Sequence, residues 1–312
     1  MNILITGGMG YVGGRLTDHF SKVDTNKVFA LSRKSVGLGL PDNIFVLHPD
    51  DVMNGKKALP NIDVLIHLAA LNEHDCVAFP QQAIEFNIGG TVKWLEWSLV
   101  NKVKQFIYFS TAHVYAKPLA GSFTEETLPT PLHPYAITHK AAEDYVLSYC
   151  YEKGLNATVL RLSNGYGHPA YVTADRWTLL VNDLCKMAVE KRELVLSSDG
   201  LQLRDFVTLA DVCSGVEVVL KNTVDGRGEI FNLGLGHSMS VYEMALLVQK
   251  VAGQYFKDTI PLSRKASGNS DSDQLHFSSD KLKALGWNPA NNYTEEIFRT
   301  LDFFSRTSAQ LN

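Results

Sequence analysis

The chain of 312 residues carries 29 basic and 33 acidic side chains, a net charge of -4, and 45% hydrophobic against 20% charged residues. That is enough chain to bury a sizeable core in one large domain or two small ones, and too apolar for disorder. No block of like charge offers a nucleic-acid or membrane footprint, no apolar run approaches the roughly 18 residues of a membrane helix, and the opening residues lack the basic start of a signal peptide, so the expectation is a soluble cytoplasmic protein with neither nucleic acid nor membrane among its partners.

In chain order, apolar runs at 2–6, 28–31, 44–47, 64–68, 106–110 and 158–162 read as strands covered on both faces, because they lack clean alternation. Helix-length segments at 11–22, 79–101 and 134–152 lie between them. Strand and helix in repetition predict a doubly wound α/β fold with a parallel, Rossmann sheet. Beyond about residue 165 helices dominate (173–191, 209–221, 240–253, 293–306), with short strands at 204–207 and 229–233 and a polar loop over 264–273. We therefore expect a dinucleotide-binding domain over 1–165. A smaller, mainly substrate-binding lobe follows over 166–312, with some of its segments returning to the first domain. The four cysteines, Cys76, Cys150, Cys185 and Cys213, have no CxxC spacing and read as buried, reduced thiols.

The sharpest local motif is Thr6-Gly7-Gly8-Met9-Gly10-Tyr11-Val12-Gly13, set where the first strand ends and a helix begins. Glycines permit the tight turn and close backbone approach to a pyrophosphate, and the helix N-terminus supplies free N–H groups. Gly7, Gly10, Tyr11, Val12 and Gly13 are the cofactor candidates here. About 20 residues on, where a carboxylate would take the adenosine ribose 2′-hydroxyl, the chain has Ser32 and Arg33. A small hydroxyl and a cation suit a 2′-phosphate, so NADP is expected, with NAD the alternative.

Further motifs accumulate in order: His67-Leu68-Ala69-Ala70 after the fourth strand, Asn87 in a helix, Ser110-Thr111-Ala112-His113 after the fifth strand, and Pro134-Tyr135-Ala136-Ile137-Thr138-His139-Lys140 opening a helix. Arg161-Leu162-Ser163-Asn164-Gly165-Tyr166-Gly167, Arg204-Asp205-Phe206-Val207 and Leu285-Gly286-Trp287-Asn288-Pro289 continue the series. Together they resemble the extended short-chain dehydrogenase/reductase family, in particular its nucleotide-sugar epimerases, dehydratases and reductases, over essentially the whole chain. The resemblance implies that Tyr135 is the catalytic acid/base and Thr111 its hydroxyl partner. It also implies that Asn164 and Arg204 hold the sugar diphosphate, that Asp51 and Val52 lie beside the adenine, and that Leu68, Ala69, Ala70 and Asn87 border the cofactor. His113 and Arg264 are further substrate candidates, with Tyr166 and His168 bordering the sugar. It implies a homodimer through the helices at 79–101 and 134–152.

One departure matters. The family pattern is Tyr-x-x-x-Lys, yet His139 holds the lysine position and Lys140 is one residue late. At about 100° per residue, position i+4 lies about 40° from Tyr135 around a helix and i+5 about 140° away. His139 is therefore the candidate partner of Tyr135 and of the nicotinamide ribose. Imidazole can hydrogen-bond the ribose, but lowers a phenol pKa only as a cation. Three readings stay open: an adapted enzyme using His139, an enzyme using a rearranged Lys140, and a cofactor-binding protein without turnover.

Dehydratases of this family resemble one another in carrying Thr-Asp-Glu after the fifth strand; here Ala112 and His113 follow Thr111, which argues against 4,6-dehydration. Hydride transfer at C4 of a nucleotide sugar remains. A 4-keto reductase or 4-dehydrogenase is favoured by Ser32 and Arg33, and a 4-epimerase with a tightly held cofactor is the alternative. The ten histidines show no metal spacing, so no catalytic metal is expected.

Overall fold

The structure, a computed structural model, describes residues 1–34, 39–174, 176–222, 228–265 and 274–311, with side chains to 307. The first half runs β1 (Asn2–Thr6), α1 (Tyr11–Ser21), β2 (Lys27–Leu31), β3 (Ile44–Leu47), α2 (Pro49–Met53), β4 (Val64–His67), α3 (Glu73–Ala78), α4 (Pro80–Ala83), a π-helix (Ile84–Gly89), α5 (Gly90–Val100), β5 (Gln105–Thr111), β6 (Gly121–Phe123), α6 (Pro134–Lys153) and β7 (Ala157–Leu162). The second runs β8 (Asn164–Tyr166), α7 (Leu180–Lys191), β9 (Leu194–Leu196), β10 (Leu203–Thr208), α8 (Leu209–Lys221), β11 (Glu229–Leu233), β12 (Ser238–Ser240), α9 (Val241–Phe256), β13 (Leu262–Arg264), β14 (Leu275–Phe277), α10 (Asp280–Ala284) and α11 (Tyr293–Leu311).

Seven strands form the central sheet in the order β11-β7-β5-β4-β1-β2-β3, all neighbours parallel. This is the doubly wound fold expected from the strand–helix rhythm. Successive strand residues feed opposite layers. Ile3, Ile5, Ile66, Ile107 and Leu160 pack with Leu16 and Phe20 of α1 and Val212 and Val216 of α8. Leu4, Leu65, Phe106, Tyr108 and Val159 pack with Trp94 and Leu95 of α5 and Val146 of α6. Burial on both faces is why these strands read as near-continuous apolar runs. All the carboxyl ends lie on one edge, and the order reverses between β1 and β4, the place where such sheets bind ligands.

A third core joins Val181 and Leu184 of α7, Met244 and Val248 of α9, and Ile297 and Leu301 of α11. Its elements build a lobe over that edge, while α8 and β11 return to the sheet.

Three elements depart from the sequence reading. The expected helix over 79–101 is three pieces beginning at Pro80, because Pro80 restarts the chain after Phe79 and a π-turn follows at Ile84–Gly89. The expected helix at 173–191 begins only at Leu180. Arg264 ends strand β13, paired with β9, rather than opening a loop; residues 266–273 of that expected loop lie outside the described residues.

Candidate active site

The glycine loop closes tightly over the end of β1. Gly7 sits at φ +67, and a Cβ on Gly13 would lie 2.2 Å from the Gly7 carbonyl oxygen, so neither position admits another side chain without moving backbone. Gly10 caps α1 without a side-chain hydrogen bond, which leaves the first-turn N–H groups of Tyr11 and Val12 without a side-chain partner. The Tyr11 phenol turns to the lobe, donating to the Gly167 carbonyl at 2.8 Å and accepting from Asn182 at 3.0 Å.

The neighbouring loop after β4 is bound to this one. The amides of Leu68 and Ala69 both donate to Thr6 Oγ1 at 3.1 Å. With both its lone pairs so engaged, Thr6 donates its own proton to His67 Nδ1 at 2.6 Å, and His67 Nε2 donates to Thr91 at 3.1 Å. His67 is thereby a neutral, structural histidine; burial holds its pKa at about 3. Asn87, 1% exposed on the π-helix, accepts from the Leu71 amide at 2.7 Å and donates to Thr138 at 3.0 Å, tying the loop to α6. Its side chain is fully used inside the protein.

At the end of β2, Ser32 folds into a turn with Lys34, and the exposed Arg33 guanidinium lies 5.1 Å from the Phe86 ring of the π-helix. On α2, Asp51 faces Lys56 at 3.8 Å, and the Val52 side chain is buried in the core.

The reacting groups meet at β5 and α6. Thr111 ends β5 and accepts from the His113 amide at 3.2 Å. Tyr135 stands in the first turn of α6, where His133 is the N-cap and Pro134 occupies the first helical position. One turn on, the His139 ring packs edge-on against Tyr135 at 4.3 Å between centroids. Lys140 instead pairs with Asp144. The helix is regular, so the i+5 residue points away from Tyr135, and no rearranged lysine replaces His139. The Arg161 guanidinium of β7 grips Glu143 at 3.0 and 2.8 Å and fixes that register.

Burial dominates the electrostatics. It pushes the Tyr135 phenol well above its ordinary value; the Glu73 carboxylate adds to this, and Arg176 and the Thr111 hydroxyl oppose it. Burial lowers His139 to about 4, so its imidazole is neutral at neutral pH and supplies no cation to Tyr135.

One cleft gathers Tyr11, Val12, Thr111, His113, Tyr135, Asn164 and Arg204 from the sequence candidates. Arg204 donates to the adjacent Leu203 carbonyl at 2.8 Å, and burial lowers its pKa, with no carboxylate among the described residues opposing. Asn164 spends its amide N–H on the Asp205 carbonyl at 3.1 Å. His113 is held below its ordinary value by burial, with Glu73 opposing. Tyr166 lines the cleft too, while His168 stacks on Phe303 at 5.8 Å in the lobe. Arg264 does not line the cleft; its guanidinium lies 3.8 Å from the Tyr242 ring and donates to the Asp199 carbonyl at 2.9 Å.

The cleft also holds residues the sequence reading did not single out. Glu73 and Arg176 bring opposite charges, and Ser110 Oγ is buried there with no hydrogen-bond partner among the described residues. Glu73 follows the Leu68–Ala70 loop closely enough to have been suspected. Arg176 carries no local signal.

A glycine cradle that excludes Cβ atoms, an uncapped helix start and a buried, unpartnered His139 Nε2 beside Tyr135 fit a dinucleotide lying across the sheet edge. Comparison with known proteins agrees. Residues 3–234 match the NAD dependent epimerase/dehydratase family. A dTDP-glucose 4,6-dehydratase of Streptomyces antibioticus is 26% identical over 97% of this chain and 92% of its own. Among solved structures, a UDP-glucose 4-epimerase from Thermotoga maritima with UDP-glucose is 28% identical with a TM-score of 0.81, covering 99% of this chain and 100% of that one. A UDP-glucuronic acid 4-epimerase from Bacillus cereus, in complex with UDP-glucuronic acid and NAD, is 23% identical, covers 98% and 100%, and shares the fold with a TM-score of 0.81. With 232 consecutive positions matched to its model and the glycine cradle, Tyr135 and Thr111 placed along one sheet edge, the chain belongs to the NAD dependent epimerase/dehydratase family.

Proposed function

We propose that this protein is an NAD(P)-dependent oxidoreductase that transfers hydride at C4 of a nucleotide-activated sugar, as a 4-keto reductase or 4-dehydrogenase. The observation that carries this reading is one cleft holding a phenol and a hydroxyl, Tyr135 and Thr111, together with a half-buried Arg204 whose charge no carboxylate among the described residues offsets. Arg204, Arg176 and Asn164 suit a diphosphate, and Tyr135 and Thr111 suit the sugar oxygen at the reacting carbon.

The dinucleotide supplies or accepts the hydride. Gly7, Gly10, Gly13 and the first-turn amides of Tyr11 and Val12 hold its pyrophosphate, the loop of Leu68, Ala69 and Ala70 borders it, and Asp51 faces its adenine, with Val52, its side chain in the core, offering only backbone. His139 offers Nε2 to the ribose. Because His139 is neutral, Tyr135 stays protonated, and a protonated phenol is poised to give its proton to a carbonyl oxygen. Thr111 polarises the same oxygen. This supports reduction of a 4-keto sugar over alcohol oxidation, which would need Tyr135 as a base.

For the cofactor we favour NADP, on the exposed Arg33 and the missing carboxylate at the end of β2. The second reading, a 4-epimerase holding NAD, is favoured by the 28% identical UDP-glucose 4-epimerase. Further proposals rest on the same footing. Residues 1–165 bind the dinucleotide and 166–312 mainly the sugar nucleotide. The protein works in the cytoplasm, which four free cysteines suit. It forms a homodimer through the helical segments at 79–101 and 134–152, where Phe79, Ile84, Ile137 and Tyr145 leave apolar surface exposed.

The test is to identify the dinucleotide released by denaturing the purified protein, then to follow cofactor consumption with 4-keto nucleotide sugars. Empty protein that binds NADPH better than NADH and consumes it supports the reductase. Stoichiometric NAD(H) favours the epimerase, and binding with no turnover of any nucleotide sugar overturns both.

A further inference from the structure

The Tyr108 hydroxyl lies 2.9 Å from His139 Nδ1, and both side chains are 3% exposed. Across the ring, His139 Nε2 is buried with no partner among the described residues. Two proton arrangements are possible. If Nδ1 carried the proton and donated to Tyr108, the phenol's own proton would have no acceptor among the described residues, and Nε2 would be a second unsatisfied atom. If Tyr108 donates to Nδ1, only the Nε2–H is left over. Burial penalises each unmade hydrogen bond, so the second arrangement is favoured.

We propose that Tyr108 is a positioning residue that locks His139 in the tautomer with its proton on Nε2, so that the ring presents one fixed, uncharged N–H donor beside Tyr135. The inference deepens the reading of His139 as the ribose partner and rests on it for the donor's use, though not for its existence.

The surroundings support a neutral pair. Tyr135 packs against His139, and the Tyr108 ring stands near both His139 and His67; none of these neighbours carries a charge. Burial and the Glu143 carboxylate hold the Tyr108 phenol protonated, and Arg161 keeps that carboxylate engaged. A lysine in this place would be a mobile cation with three donors. The histidine is one donor with a set direction, and what sets it lies on strand β5, which also delivers Thr111.

The experiment is 15N NMR of histidine-labelled protein at pH 7.5, with the His139 signal assigned by His139→Gln. In the wild type, Nδ1 should resonate as an acceptor nitrogen and Nε2 as a protonated one. Tyr108→Phe removes the donor at nearly constant shape and should shift the tautomer ratio about tenfold towards Nδ1–H, the effect of one buried hydrogen bond. A wild-type His139 protonated on Nδ1, or on both nitrogens, overturns the proposal without recourse to any variant. So does a folded Tyr108→Phe protein whose tautomer ratio is unchanged. NADPH should then move the Nε2 signal of the wild type. If the tautomer is as stated and NADPH binds without moving it, the lock by Tyr108 stands and the ribose role of His139 is what fails.

Discussion

Lys140 pairs with Asp144 along the outer side of α6, while His139 packs on Tyr135 within it. The residue that keeps the family's chemical type is thus in the wrong place, and the residue in the right place has a different chemistry. An i,i+4 ion pair at the surface contributes at most about 0.5 kcal/mol. Lys140→Ala should therefore leave kcat/KM within about twofold. His139→Ala removes the buried donor and should lower it at least about tenfold, whereas His139→Lys should keep or raise turnover. Loss of activity in Lys140→Ala with His139→Ala spared would reverse the assignment of the two residues.

Tyr135 is the proton donor on this reading. Tyr135→Phe keeps the ring that packs on His139 and deletes only the hydroxyl. Turnover should fall about 10²- to 10⁴-fold, the range of general acid–base catalysis, with NADPH affinity held within about twofold. Stopped-flow reduction of a 4-keto nucleotide sugar, alongside a fluorescence titration of NADPH, separates the two quantities. Equal losses in both would make Tyr135 a binding residue.

Arg33 stands at the surface with its guanidinium against Phe86. A cation there is matched to a 2′-phosphate and has nothing to recognise in a 2′-hydroxyl. Arg33→Ala should weaken NADPH by about tenfold, equivalent to about 1.4 kcal/mol, and leave NADH nearly unchanged. Equal weakening of both cofactors would place Arg33 outside the discrimination.

Much of this was legible in the sequence, for definite reasons. Strands buried on both faces leave short apolar runs, so β1, β2, β3, β4, β5 and β7 were all found within a residue or two. The glycine spacing is a steric requirement, visible at Gly13 as a missing Cβ. The placement of His139 followed from helix geometry, and Glu143 confirmed it by meeting Arg161. What stayed hidden depends on contacts distant in sequence. Tyr108 reads as one more apolar strand residue until α6 lays His139 across it. Arg176 falls in the expected helix over 173–191 but lies ahead of its actual start at Leu180, and Glu73 lies in a segment with no element expected; both reach the cleft only through the tertiary fold. The π-turn around Asn87 is invisible because nothing in Ile84–Gly89 marks a π-turn apart from an ordinary helical turn.

Stability should fall as pH drops below neutrality, and two buried histidines set the sign. Burial lowers His67 to about 3 and His139 to about 4, from an ordinary value of 6.5, and a charge on His139 would lower His67 further. Below about pH 6.5 the unfolded chain binds protons that the folded one refuses, so the stabilisation is complete above that pH and is lost on acidification through the folded values. Linkage gives up to about 1.4 kcal/mol per pH unit for each histidine, or on the order of 2 kcal/mol each between pH 7.5 and 5. Burial depresses His113 and His168 in the same sense, while the buried Asp205, whose carboxyl is raised, acts in the opposite one. Urea denaturation at pH 7.5 and pH 5 should show a clear drop in midpoint with little change in slope. His139→Gln, which removes one titrating group from the pair, should flatten that dependence. A midpoint unchanged between the two pH values would mean that His67 and His139 accept protons in the folded state, and the neutral pair at the heart of the site would have to be given up.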